Sequence, residues 1–242
     1  MTDVQAAPPA PYAGTAILEV LQEARNYNAF LMDLVLACAD PGGTVADFGA
    51  GIGTFASELR RRGIDVTAIE PDQAQLARLR AEGLPAVAGL SELARPADLI
   101  YSLNVLEHIE DDLGALQAIA GALRPGGRLL LYVPAFQVLY GPLDRAVGHV
   151  RRYRRRPLAA LVEQAGLRIE RAAYADSIGF LAALLHRFVA GESATLDRRA
   201  VMLYDSVAFP VSRVLDRVCW PLFGKNVVVQ AVKPSHGTPS RQ

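Results

Sequence analysis

The residues best suited to chemistry lie in VADFGAGIGTF, positions 45–55 of this 242-residue chain, between a strand-like run and a helix-like one. Gly49, Gly51 and Gly53, with Ala50 among them, permit a tight turn that lets backbone approach a ligand at the carboxyl end of a sheet. A dinucleotide fingerprint G-x-G-x-x-G would place its third glycine where Thr54 stands. Asp47, two residues before Gly49, would repel a pyrophosphate at a helix N-terminus and attract a cation. A ligand with an ammonium group therefore fits better than a nicotinamide dinucleotide. Glu70 follows Gly49 by 21 residues at the end of the next strand-like run, where a carboxylate can accept from ribose hydroxyls.

A second group lies in LYGPLDRAVGHVRRYRRRPL, residues 139–158, which concentrates six arginines, one of the four histidines and Tyr153 in a stretch without periodicity. His149, with an ordinary pKa near about 6.5, suits a general base that takes the proton of a hydroxyl at neutral pH. Asp144 suits orienting that imidazole or binding a substrate hydroxyl, and Arg152 and Tyr153 suit substrate contact. So dense an arginine cluster points to a phosphate or carboxylate on the substrate, or else to a solvated helix start. Glu107 and His108 sit at a predicted helix start, where an acid complements the dipole and a histidine packs. Tyr27 and Asn28 precede an amphipathic run at 30–37 and are either ligand contacts or an ordinary surface helix.

The elements that must position these groups alternate. Strands are expected at 44–47, 66–70, 86–89, 98–103 and 128–133, with helices at 54–62, 72–82 and 111–123, and Gly63, Gly83 and Gly126 as stop signals. That βαβα order implies an α/β fold with a parallel sheet. Residues 135–156 read as a lid or insertion. A helix at 158–165, a strand at 167–173, apolar helices at 178–189 and 201–218 forming a cap over about 177–222, and a closing strand at 226–232 follow. One domain over 14–233 is expected, between breaker-rich tails at 1–13 and 234–242.

Composition narrows the classes. Apolar residues make up 51% and charged residues 21%, with 25 basic against 25 acidic, so a nucleic-acid partner is not expected. Cys38 and Cys219 form no disulfide framework and have no metal-ligand spacing, and no metal is expected. The apolar run at 178–185 falls far short of the roughly 20 residues of a bilayer span. A cytoplasmic protein is expected. Trp220 and Phe223 beside basic residues leave room for peripheral contact with a membrane surface.

Four segments in order, VADFGAGIGTFASEL, VTAIEPD, ADLIYSLNVLEHIEDD and LRPGGRLLLYVP, together resemble a class I S-adenosylmethionine-dependent methyltransferase. The resemblance implies a Rossmann-like, seven-stranded, mostly parallel sheet whose last strand is inserted antiparallel. It places Asp47, Gly49, Gly51 and Gly53 around the methionyl and ribose part of S-adenosylmethionine, Glu70 on the ribose, Pro71 beside the adenine and Asn104 beside the cofactor. S-adenosylhomocysteine is the implied product. Many relatives carry an acid after the third strand; this chain has Gly89-Leu90-Ser91, so Leu90 is expected to cover the adenine. Tyr27 would lie in the N-terminal helix that closes over the cofactor. The wording L-Y-G-x-x-D-x-x-x-G-H-x-R-R-Y resembles a subgroup associated with glycan and cell-envelope biosynthesis, implying a small acceptor, saccharide or lipid-linked. An N- or C-methyltransferase and a non-catalytic cofactor-binding partner of a biosynthetic enzyme remain alternatives, and oligomeric state is not read from these residues.

Overall fold

The computed structural model describes residues 20, 22–189 and 197–235. The 1–13 tail, His236 and the side chain of His186 lie outside that description. The elements are α1 (Arg25–Cys38), β1 (Thr44–Phe48), α2 (Thr54–Arg61), β2 (Asp65–Ile69), α3 (Gln73–Ala81), β3 (Ala86–Val87), β4 (Ala97–Leu103), α4 (Asp112–Ala122) and β5 (Leu123–Pro134). Then come α5 (Pro142–Val147), α6 (Arg155–Gln164), β6 (Arg168–Ala175), α7 (Ser177–Val189), α8 (Arg198–Leu203), a π-turn at Tyr204–Ala208, α9 (Phe209–Cys219) and β7 (Asn226–Val232).

One seven-stranded sheet runs β3-β2-β1-β4-β5-β7-β6. β1 to β5 are parallel, and β7 is antiparallel to both β5 and β6, as the resemblance implied. Alternate strand residues face opposite layers. Ala46, Ile100, Leu129, Leu131 and Val133 pack with Leu116 and Ile119 of α4 and Leu158 and Val162 of α6. Val45, Leu99, Tyr101, Leu130 and Tyr132 meet α1, α2 and α3 through Phe30, Leu31, Val35, Leu59 and Leu79. After β1 the chain steps to β2 and β3, then crosses back to place β4 on the other side of β1. The crevice between the carboxyl ends of β1 and β4 is thus a topological switch point, where open α/β sheets bind their ligands.

Two segments differ from the pattern expected. Residues 135–156 fold rather than loop: a 3-10 turn at Gln137–Leu139, the six-residue α5 and a bridge between Ala135 and Tyr153 hold them to the end of β5. Phe136 N donates to Tyr153 O at 2.8 Å and Tyr153 N to Pro134 O at 2.9 Å. A helix under two turns is too short to show a period, so the sequence reads as punctuation. The last helical run starts three residues earlier than expected and includes the π-turn, from which Asp205 reaches α1. Its Oδ2 accepts from Asn26 N at 3.0 Å and its Oδ1 from Tyr27 N at 2.8 Å, closing an N-terminus for which Ala24 has no capping side chain.

Asp205→Ala is expected to lower stability by about 1–2 kcal/mol, a fall in Tm of a few degrees, because two helix N–H groups lose a buried acceptor. Asp205→Asn, which keeps one acceptor, should lose less. Denaturant unfolding of the three proteins measures both.

Candidate active site

At the end of β1 the backbone folds over β2. Gly49 N and Ala50 N both donate to Ile69 O, at 2.9 and 3.1 Å. Gly49, Gly51 and Gly53 all have positive φ, at 80°, 55° and 77°. A Cβ on Gly49 would lie 2.5 Å from Val105 Cγ2, and one on Gly53 2.5 Å from Leu79 Cδ2, so the turn is closed to side chains by both torsion and space. Glu70 is buried beneath it, Oε2 accepting from Gly51 N at 2.7 Å and Oε1 from Asp72 N at 2.9 Å. Asp47 is 4% exposed. Burial lifts its carboxyl to about 7, the Tyr101 hydroxyl opposing that rise and Glu70 adding to it. It makes no salt bridge among the described residues.

Across the crevice Asn104 leaves β4 with φ of 56°, and its Nδ2 donates to the Tyr27 hydroxyl at 3.2 Å. Tyr27 is wedged edge-on between Tyr132 and Phe209, and burial pushes its phenol up to about 12. Asn104 and Tyr27, both expected at the cofactor, are therefore joined to each other at the switch point. Pro71 is exposed beside the Glu70 turn. Leu90 opens a 3-10 turn, Leu90–Glu92, and packs half-buried on the core beyond β3.

Two residues past Asn104 the chain enters a turn, Leu106–His108, and here the second group assembles. His149 Nδ1 lies 2.7 Å from Asp144 Oδ1, and its Nε2 lies 3.7 Å from Glu107 Oε1. Val150 N donates to Glu107 O at 2.8 Å, and the rings of His108 and His149 meet edge to face at 4.7 Å. Asp144 is 2% exposed and also accepts from Arg152 Nε and Nη2, at 2.8 and 3.0 Å, and from Gly141 N at 2.8 Å. Burial works against its charge, yet the bonds from His149 and Arg152 hold the carboxyl down at about 2. An ionised Asp144 makes Nδ1 the protonated ring nitrogen and leaves the lone pair on Nε2. Glu107 is fully buried, with neither carboxylate oxygen hydrogen-bonded, and burial lifts it to about 8. His108 is pushed down to about 4, by burial first and then by its closeness to the His149 ring.

Three residues expected at the substrate have protein partners here. The oxygens of Asp144 accept from His149, Arg152 and Gly141. Arg152 lies behind the imidazole, gripping Asp144. Tyr153 is 6% exposed and donates to Leu106 O, with Asp112 Oδ2 also at 3.1 Å, so it braces the turn from inside. The arginine run is dispersed as well. Arg151 pairs with Asp112 and Glu110 O, Arg155 lies over the Trp220 ring, and Arg154 and Arg156 face solvent. Glu107 and His108, read as helix-start residues, turn out to be His149's neighbours across 40 residues of chain. Their adjacency to a predicted strand end was the one signal available. Glu107, His108 and His149 present one ligand atom each within 4.8 Å of one another, a set that could hold a divalent cation and that spacing in sequence did not disclose.

Asp47 generates a pH prediction. Its folded pKa lies above that of an exposed aspartate, so the stability associated with the neutral acid is full below about pH 4 and is lost as pH rises through about 7. In ligand-free protein, Asp47→Asn should therefore gain stability relative to the parent between pH 4 and 8, on the order of 1–4 kcal/mol. A Tm difference that stays constant with pH would contradict the buried carboxylate.

A family model described as a methyltransferase domain matches residues 22–172. A ubiquinone biosynthesis O-methyltransferase of Xanthomonas campestris pv. campestris is 34% identical over 116 residues, 43% of this chain and 48% of that protein. The chain thus spans about half the length of the curated relatives it matches. Among solved structures, the methyltransferase in a complex with the Haloferax volcanii Trm112 methyltransferase activator has a TM-score of 0.63 at 18% identity, covering 92% of this chain and 96% of that one. Haemonchus contortus phosphoethanolamine N-methyltransferase 2, solved with S-adenosyl-L-methionine, has a TM-score of 0.58 at 16% identity, covering 89% and 57%. The switch-point crevice, the 3-2-1-4-5-7-6 sheet and the domain match agree: this chain belongs to the methyltransferase domain family, the S-adenosylmethionine-dependent class I methyltransferases.

Proposed function

We propose that this protein transfers a methyl group from S-adenosylmethionine to a hydroxyl of a small molecule, a saccharide or a lipid-linked glycan. The observation that carries the oxygen acceptor is the Asp144–His149 pair, which presents an imidazole lone pair just beyond the β4 turn. The switch-point residues fit the cofactor. The glycine turn admits close approach, Glu70 lies where it can meet a ribose, and Asp47 is a buried carboxylate without a cation of its own. Asn104 and Tyr27 would flank the sulfonium end, with Pro71 and Leu90 toward the adenine. When bound, S-adenosylmethionine supplies an electron-poor methyl carbon and a thioether leaving group.

The chain's own residues supply alignment and a proton acceptor. Asp144, kept ionised by Arg152 and the Gly141 amide, fixes the tautomer. His149 Nε2 takes the hydroxyl proton as the new O–C bond forms. Glu107, mostly neutral at pH 7, does not compete as an anion for the imidazole. Support for an oxygen acceptor also comes from the name of the Xanthomonas relative, an O-methyltransferase. The saccharide class rests on the resemblance of residues 139–153 to a glycan-associated subgroup, and Arg154 and Arg156 offer charge to an anionic acceptor.

Three outcomes test this. Labelled methyl from S-adenosylmethionine should appear in an extract component as a methyl ether; an N- or C-methyl product would overturn the oxygen acceptor. His149→Ala should lower kcat by about 10²–10⁴-fold with cofactor affinity by calorimetry unchanged, whereas Asp47→Ala should weaken that affinity at least roughly tenfold. Turnover should survive a chelator. Loss on chelation that Mg²⁺ restores would make His149 a metal ligand and remove it as the base.

A further inference from the structure

Twelve large apolar side chains are exposed among the described residues, and ten of them lie between 181 and 222. This is a local feature of the C-terminal helices, since an ordinary surface helix turns polar residues outward. From α8 through the π-turn into α9, Asp205, Phe209 and Ser212 are buried against the body. The opposite side carries Leu203, Val207, Val211, Val214, Leu215 and Val218, 45–77% exposed. Successive members are four, four, three or four, and then four or three residues apart. Spacings of three and four keep these side chains on one helical face, and the stripe runs through the π-turn into α9. Leu222 and Trp220 continue it past the helix end at 67% and 41% exposure.

The charge beside the stripe is mainly basic. Between 198 and 225 the cations are Arg198, Arg199, Arg213, Arg217 and Lys225; of these Arg198 pairs with Glu23 at 2.7 Å and Arg213 lies over the Phe30 ring. The two carboxylates of that stretch accept backbone N–H groups elsewhere: Asp205 at α1, and Asp216 from Asp176 N and Ser177 N at 2.7 and 2.9 Å. A groove of about 250 Å³ adjoins α9, lined by Arg171, Arg213, Arg217 and Trp220 together with Asp216, whose carboxylate accepts the two backbone N–H groups. Arginines around a shallow groove, beside an apolar ridge with a tryptophan at its end, match the headgroup and acyl layers of an anionic bilayer. A second copy on the same face would bring like charges together.

We propose that the α8–α9 face docks on an anionic phospholipid surface, with the stripe in the acyl boundary and the arginines on headgroup phosphates. This stands independently of which hydroxyl is methylated. The face is mechanically close to the active site. α7 packs on α9 and exposes Leu181 and Leu185, and its Arg187 donates to Tyr140 O, while the Tyr140 hydroxyl donates to His149 O at 2.8 Å.

Trp220 is the chain's only tryptophan, so its emission reports directly on the face. With the full chain and vesicles of phosphatidylglycerol and phosphatidylethanolamine, emission should shift to the blue and the protein should co-sediment; phosphatidylcholine vesicles should do neither. Binding should weaken with salt and fall roughly fivefold for each of Arg213→Gln and Arg217→Gln. Val211→Glu with Val218→Glu, at exposed positions that should leave Tm and cofactor affinity intact, should reduce binding roughly tenfold or more. Absence of binding to anionic vesicles, or binding untouched by the double variant, would overturn the proposal. So would light scattering that shows a dimer which the double variant dissociates, since the occupant would then be a second copy.

Discussion

The path of the backbone between Phe48 and Thr54 is the constraint on which the site depends. A parallel strand must hand its chain to a helix running back over the sheet, and here the chain first bends over the neighbouring strand, with two amides sharing Ile69 O. Three positive-φ glycines permit the bend, and Val105 and Leu79 occupy the space that side chains there would need. The same bend lets Glu70 reach Gly51 N and leaves Asp47 walled from water. A small turn thereby sets the position of both acids at the switch point, and helix α2 starts from its end.

Three buried carboxylates show how environment assigns different work to one chemical group. Asp144 is ionised because an imidazole, a guanidinium and an amide converge on it. Asp47 and Glu107 lack comparable donors, and burial lifts both toward neutrality. Asp47 lies buried at the end of β1 beside the Tyr101 hydroxyl, whereas Glu107 lies 3.7 Å from His149 Nε2. A firmly anionic acid thus lies on Nδ1 of His149 and a mostly neutral one near its Nε2.

The C-terminal helices join both ends of the molecule. Asp205 closes α1 from the π-turn, Phe209 packs on Tyr27 and Phe30, and Asp216 caps the start of α7 through Asp176 N and Ser177 N. Each of these contacts faces inward and comes from a polar or aromatic residue. The aliphatic residues of α8 and α9 face outward. That inversion of the usual arrangement costs hydrophobic burial of about 1.5–3 kcal/mol per large side chain left in water, which a lipid surface would offset.

The succession of strands and helices, the parallel sheet and the glycine turn were legible in the chain itself, because they follow from local rules; the antiparallel last strand came with the resemblance, and the order across the sheet with the structure. Apolar runs of strand length alternate with helical periods, and Asp47, the three glycines and Glu70 lie within 24 residues of one another. The Glu107–His108–His149–Asp144 cluster was legible only in pieces. His149 and Asp144, five residues apart, could be paired from the chain as an expected base and orienter, but Glu107 is 42 residues from His149 and becomes its neighbour only when the segment after β5 folds back onto the β4 turn. Arg152 and Tyr153 were expected at the substrate because residue type does not reveal burial; their bonds to the acids at 144 and 112, 8 and 41 residues away, have no local spacing that would announce them. The outward stripe was hidden for a related reason. Apolar composition marks a helix as able to pack, and only the tertiary structure decides which of its faces has found a partner.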